Sequence, residues 1–118
     1  MDSPSQSALQ IESVPGSQEG VRILKVHGPM LISNFFEFQQ MARDDKSTLL
    51  LIDLAGVPYM DSAALGCLLG IHVSRGRKGT KYALVNVADR IVTMFTISGV
   101  RETLVIFPTV EAAEAALL

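Results

Sequence analysis

A chain of 118 residues, 48% hydrophobic and 19% charged, has the size of one ordinary domain and enough apolar material for one continuous core. Its net charge of −2 speaks against a polyanion as main partner, because phosphate-backbone binding leaves a clear basic excess, so no nucleic-acid partner is expected. A single cysteine, Cys67, excludes an internal disulfide framework and points to a reducing compartment.

Residues 1–7 are polar, lack the basic and apolar regions of a secretion signal, and are expected to form a flexible N-terminus. No apolar run approaches the roughly 18 residues that a spanning helix needs. A cytoplasmic protein without direct membrane insertion is the expectation. Residues 9–14 and 21–26 are short and rich in β-branched side chains, and Pro15, Gly16 and Gly20 between them predict a hairpin or two neighbouring strands. Phe35, Phe38, Met41 and Ala42 then fall at helical spacing, with Asn34 three residues ahead of Glu37 in the manner of a capping box. This predicts the first helix. Residues 48–54 hold Leu49, Leu50, Leu51 and Ile52 in succession, the pattern of a central strand buried on both faces of a parallel sheet.

Residues 62–74 are apolar on nearly every side and too long for a strand, which predicts the second helix. The cations Arg75, Arg77, Lys78 and Lys81 read as its solvated C-terminal end and the following loop, where positive charge suits the helix dipole. Residues 81–87 predict a strand, and residues 89–98 a helix with Ile91, Met94 and Phe95 on one face and Gly99 at its C′ position. Residues 104–107 make a last strand stopped by Pro108, after which Thr109 caps an Ala-rich helix with Glu111 in its first turn. The order ββαβαβαβα predicts a single α/β domain over residues 1–118: a mixed, mostly parallel sheet with flanking helices, antiparallel at the opening hairpin. Leu50, Ile52, Leu68, Ile91 and Phe95 are its expected core.

Little in the chain looks like chemistry. His27 and His72 are far apart and Cys67 has no second cysteine, so metal-ligand spacing is missing. Gly66 and Gly70 sit inside a helical pattern, form no phosphate loop or dinucleotide fingerprint, and read as permitting close helix packing. Cys67 and His72 point in different directions on one helix, which predicts a buried, unreactive thiol and a partly exposed imidazole. With no convergent acid, base and nucleophile, neither enzymatic activity nor a cofactor is expected.

The most informative stretch is Tyr59, Met60, Asp61, Ser62, Ala63, Ala64, Leu65 and Gly66, which follows the central strand and opens the second helix. Either Asp61 or Ser62 can cap that helix. The helix also carries more apolar residues than one core face uses, so an apolar patch beside its polar start is expected as a docking surface.

The run LLLIDLAGVPYMDSAALGCLLG resembles the central signature of STAS domains, the family of bacterial anti-sigma-factor antagonists and of the cytoplasmic tails of sulfate-permease transporters. KYALVNVADRIVTMFTISGV is similar to the family's later strand and helix. The resemblance implies a module that binds an anti-sigma factor or serine kinase protein, or other STAS proteins. By the same resemblance Ser62 is the candidate phosphoacceptor, and Tyr59, Asp61, Ser62, Ala63, Leu65 and Gly66 are the candidate partner contacts. Ala63 and Ala64 stand where phosphorylated antagonists usually have Ser or Thr and then Gly. The loop Gly28, Pro29, Met30, Leu31 is more similar to the apolar loop of transporter-linked domains. These features imply the alternative, an unphosphorylated STAS scaffold subunit of a signalling or transport-associated complex.

Overall fold

The computed structural model describes residues 9–118, and the segment expected to be flexible, 1–7, lies outside them. In chain order the elements are β1 (Gln10–Pro15), β2 (Val21–His27), α1 (Phe36–Asp44), β3 (Leu49–Gly56), α2 (Ser62–Lys78), β4 (Lys81–Val85), α3 (Asp89–Ile97), β5 (Ile106–Phe107) and α4 (Val110–Leu117). The five strands lie in the order β1-β2-β3-β4-β5. β1 pairs antiparallel with β2, and every later pair is parallel. The apolar run at Leu49 to Ile52 is the middle strand, and each of its four residues is at most 1% exposed.

Strand side chains alternate between two faces, which explains why one sheet serves two unequal cores. Leu24, Leu50, Ile52 and Leu84 face α1, α2 and α3, and pack with Phe38, Leu68, Ile91 and Phe95. Val21, Ile23, Leu49, Leu51, Ala83 and Val85 face the other way, toward Ala113 of α4. Leu50, Ile52, Leu68, Ile91 and Phe95 are all buried, as expected.

Several element ends differ from the sequence expectation, because a competing hydrogen bond overrides the local signal. Asn34 does not cap α1: Phe35 stands at the N-cap without a side-chain bond, and the Asn34 amide closes its own loop by donating to the Pro29 carbonyl and accepting from Leu31 N–H. β4 stops at Val85 because Asn86 adopts φ 56° and donates from its side chain to Asp53. β5 starts at Ile106, not at 104, because the Val105 N–H goes to the Tyr82 phenol at 3.1 Å.

The second helix runs on to Lys78, and Arg75 is not solvated but 2% exposed. Its guanidinium donates to the carbonyls of Lys81, Asp45 and Ser47 and pairs with the Asp45 carboxylate at 3.1 Å. Arg77, Lys78 and Lys81 are exposed as expected. Gly66 and Gly70 do not mediate helix packing: both are exposed, and a Cβ at either would meet nothing within 4 Å. Gly99 at φ 76° closes α3 as expected, its N–H bonding Thr96 while that of Val100 bonds Phe95, a Schellman arrangement.

Candidate docking surface

The carboxyl ends of β2 and β3 deliver two loops, residues 28–35 and 57–61, side by side. Gly28 N–H donates to the Gly56 carbonyl at 2.9 Å, Met30 N–H to the Tyr59 carbonyl at 3.1 Å, and Asp61 N–H to the Met30 carbonyl at 3.2 Å. Met30 and Met60 form an isolated parallel bridge, and both side chains are buried. These main-chain bonds join the two loops at their base. With the methionines anchored inward, the loops turn other apolar side chains outward: Ile32 is 71% exposed, Phe36 at the start of α1 65%, and Tyr59 46%.

Asp61 settles which residue caps α2. It sits at the N-cap with φ −93° and ψ 176°, and its Oδ1 accepts from Ala64 N–H at 2.9 Å. Its Oδ2 accepts from Ile32 N–H, also at 2.9 Å, so the carboxylate belongs to both loops. Ser62 is thereby left as the first residue of α2, exposed, with no hydrogen bond to its hydroxyl among the described residues. No acidic side chain stands in the first turn of α2, so the partial positive charge of that helix end is answered only by Asp61.

Of the residues singled out in the sequence, Tyr59, Asp61 and Ser62 come together at this surface, with Ala63 half-buried beside them and Gly66 exposed one turn further on. Leu65 does not join them. It turns into the core at 6% exposure, as Ala64 does at 0%, so the expected contact through Leu65 is corrected to a packing role. The spare apolar surface of α2 is also smaller than expected, since Leu65, Cys67, Leu68 and Ile71 are all buried and only Val73 is exposed.

Ile32 and Phe36 were missed in the sequence. A signal was present: Phe35, Phe36 and Phe38 crowd a helix start whose inward stripe accommodates Phe38 fully and Phe35 in part, which leaves Phe36 outside.

The two reactive-looking side chains of α2 lie elsewhere. Burial pushes the Cys67 thiol up to about 11, against a smaller opposing pull from Arg43. His72 Nδ1 lies 2.9 Å from the Tyr82 hydroxyl, with the two rings edge to face. Burial raises the Tyr82 phenol above its ordinary value, and the Val105 N–H opposes the shift. Among the described residues no group of three or more His, Cys, Asp or Glu could hold a metal ion, and no helix is long and apolar enough to cross a membrane.

The family model for the STAS domain matches residues 15–113. An anti-sigma-B factor antagonist of Staphylococcus aureus (strain NCTC 8325 / PS 47) is 27% identical over 97 residues, which cover 80% of this chain and 88% of that protein. Among solved structures, an anti-sigma factor antagonist from Mycobacterium paratuberculosis is similar with a TM-score of 0.78 at 22% identity, over 99% of this chain and 98% of that one. The murine solute carrier 26 family member A9 anion transporter is similar with a TM-score of 0.74 at 18% identity, over 92% of this chain but 22% of the transporter. At such identities the two structures share the fold.

Proposed function

The chain belongs to the STAS domain family, and from that membership we propose that it works as an anti-sigma-factor antagonist, a binding module that performs no chemistry of its own. Its partner is an anti-sigma factor protein with serine kinase activity, and the docking surface is the joined pair of loops with the start of α2. One observation carries this reading: three large apolar side chains are exposed beside the exposed Ser62, Ile32 and Tyr59 in the two loops and Phe36 at the start of α1. Exposed apolar patches rimmed by polar groups mark interaction sites more often than they mark idle surface. The relatedness to a protein named an anti-sigma-B factor antagonist supports the same class.

Ser62 is the proposed point of control. In the partner's active site its Oγ attacks the γ-phosphorus of ATP. The Oγ–P bond forms as the bond to the bridging oxygen of ADP breaks, and the hydroxyl proton leaves to a base on the kinase. The product adds roughly −1.5 to −2 charges at the centre of an apolar contact, which expels the partner while the helix end tolerates the anion.

The test is titration of the partner with wild type, Ser62→Ala and Ser62→Asp. Wild type and Ser62→Ala are expected to bind equally, and Ser62→Asp about tenfold or more weakly, since each 1.4 kcal/mol is a factor of ten. Ala63 and Ala64 favour a second reading, the unphosphorylated STAS scaffold. Equal affinity of all three proteins would select it.

A further inference from the structure

Asp61 uses its two carboxylate oxygens on two different segments. Oδ1 caps α2 through Ala64 N–H, and Oδ2 holds Ile32 N–H of the preceding loop, each at 2.9 Å. Capping needs only the first bond, and a serine would supply it with a single oxygen. The second bond contributes nothing to the helix. What it fixes is the most exposed large apolar side chain of the docking loops, Ile32. The rest of loop 28–35 is held from other directions, Met30 by its main-chain bonds to Tyr59 and Asp61, and residues 29–34 by the Asn34 side chain. The Asp61 carboxylate is the one hydrogen-bond partner of the Ile32 N–H among the described residues. The next residue in the chain is Ser62.

We infer that Asp61 is a positioning residue that couples the chemical state of Ser62 to the placement of Ile32. A dianionic phosphoryl group on Ser62 Oγ stands one residue from the Asp61 carboxylate, repels it, and competes with it for the amides that open α2. Asp61 then withdraws from Ile32 N–H and the loop loosens. The apolar surface is dismantled as well as charged, and loss of the partner has two causes in place of one. The inference rests on the docking reading for its consequence, but the coupling itself is a property of the free chain and is tested without a partner.

The experiment is amide hydrogen exchange on the full chain, resolved at Ile32 and Ala64, for four proteins: wild type, Asp61→Ser, wild type carrying phosphoserine at position 62, and the two changes combined. Asp61→Ser retains one oxygen for the cap, so Ala64 N–H is expected to stay protected within about twofold while Ile32 N–H exchanges about ten times faster. Phosphoserine at 62 is expected to produce the same acceleration at Ile32, and to add nothing further on top of Asp61→Ser. That lack of additivity is what a merely structural role for Asp61 does not produce. Unchanged exchange at Ile32 on phosphorylation, or independent and additive effects of the two changes, overturns the coupling. Asp61→Ala, which removes both bonds, is the control that must expose Ile32 N–H if the bond exists in solution; continued protection there overturns the inference as well. If instead the docking reading fails, the partner titration shows it while these exchange rates remain as stated.

Discussion

Each of the five N–H donors of Arg75 has an acceptor: the Lys81 carbonyl takes two, the Ser47 carbonyl one, and the carbonyl and carboxylate of Asp45 the other two. The side chain ties the end of α2 to the loop before β3 and to the first residue of β4. Arg75→Ala should cost about 3–5 kcal/mol, because it removes five hydrogen bonds and leaves the Asp45 carboxylate, held then only by Ser47, without its cation. Arg75→Lys should recover little of that, since a compact ammonium cannot reproduce the planar fork. Urea unfolding checks both, and a loss under 1 kcal/mol in Arg75→Ala would show the network to be dispensable. The sequence carried a usable clue, for Ala64, Leu68, Ile71 and Arg75 step along α2 at helical spacing and form one buried stripe. Charge alone argued for solvent, and the stripe won. Cys67 lies on the same helix and gives a pH-dependent expectation. Its folded thiol titrates at about 11 against 9.0 for the unconstrained group, so its contribution to stability is complete below pH 9 and is lost as pH rises toward 11. Tyr82, shifted in the same direction, adds to the loss above pH 10. The urea midpoint should therefore fall through this window, and Cys67→Ala should flatten its lower part.

The helices and strands show which features were legible at the scale of single elements. Interiors were readable because they depend on local periodicity: the unbroken run at Leu49 to Ile52, and the helical stripes that bury Ile91 and Phe95, fixed type and approximate place. The ends were less readable because they depend on which of several competing hydrogen-bond partners, near or distant in sequence, wins. Asn34 looks like a cap and serves a loop, while Val105 looks like a strand residue and gives its N–H to Tyr82. The docking surface divides in the same way. Asp61 at the N-cap and Ser62 behind it were legible as a pair, whereas the role of Ile32 emerged only once a bond across 29 residues of sequence was visible. Gly66 and Gly70 give a prediction at this scale. Each lies on the solvent face of α2 with open space where a Cβ would go, so no packing within the chain calls for glycine. Gly66→Ala and Gly70→Ala should each stabilise the fold by about 0.5–1 kcal/mol. Thermal unfolding measures this, and a loss of stability in either variant would mean that the helix face is not free as described.

Across the whole molecule, the proposed docking loops and the fastening of α2 lie at opposite ends. Helices that cross over between parallel strands run back along the sheet, so α2 begins at the carboxyl edge, where the two docking loops emerge, and ends at the amino edge, where Arg75 secures it. α3 runs the same way and leaves Ile97, 81% exposed, at the amino edge. The protein thus carries its own control. If exposed apolar side chains matter only where they form the docking surface, replacing Ile32 and Phe36 together by serine should abolish partner binding, while Ile97→Ser should leave it intact. Burying such a side chain is worth roughly 1.5–3 kcal/mol, so the double substitution should weaken the complex by about a hundredfold or more. Neither change should lower the unfolding free energy by more than about 1 kcal/mol, because all three side chains already face water in the free chain. Calorimetric titration of the anti-sigma partner with the three proteins, beside their urea curves, provides the comparison. Equal affinities for wild type and the double variant would remove the joined loops from the interface, and a loss confined to Ile97→Ser would move the docking surface to the other end of the sheet.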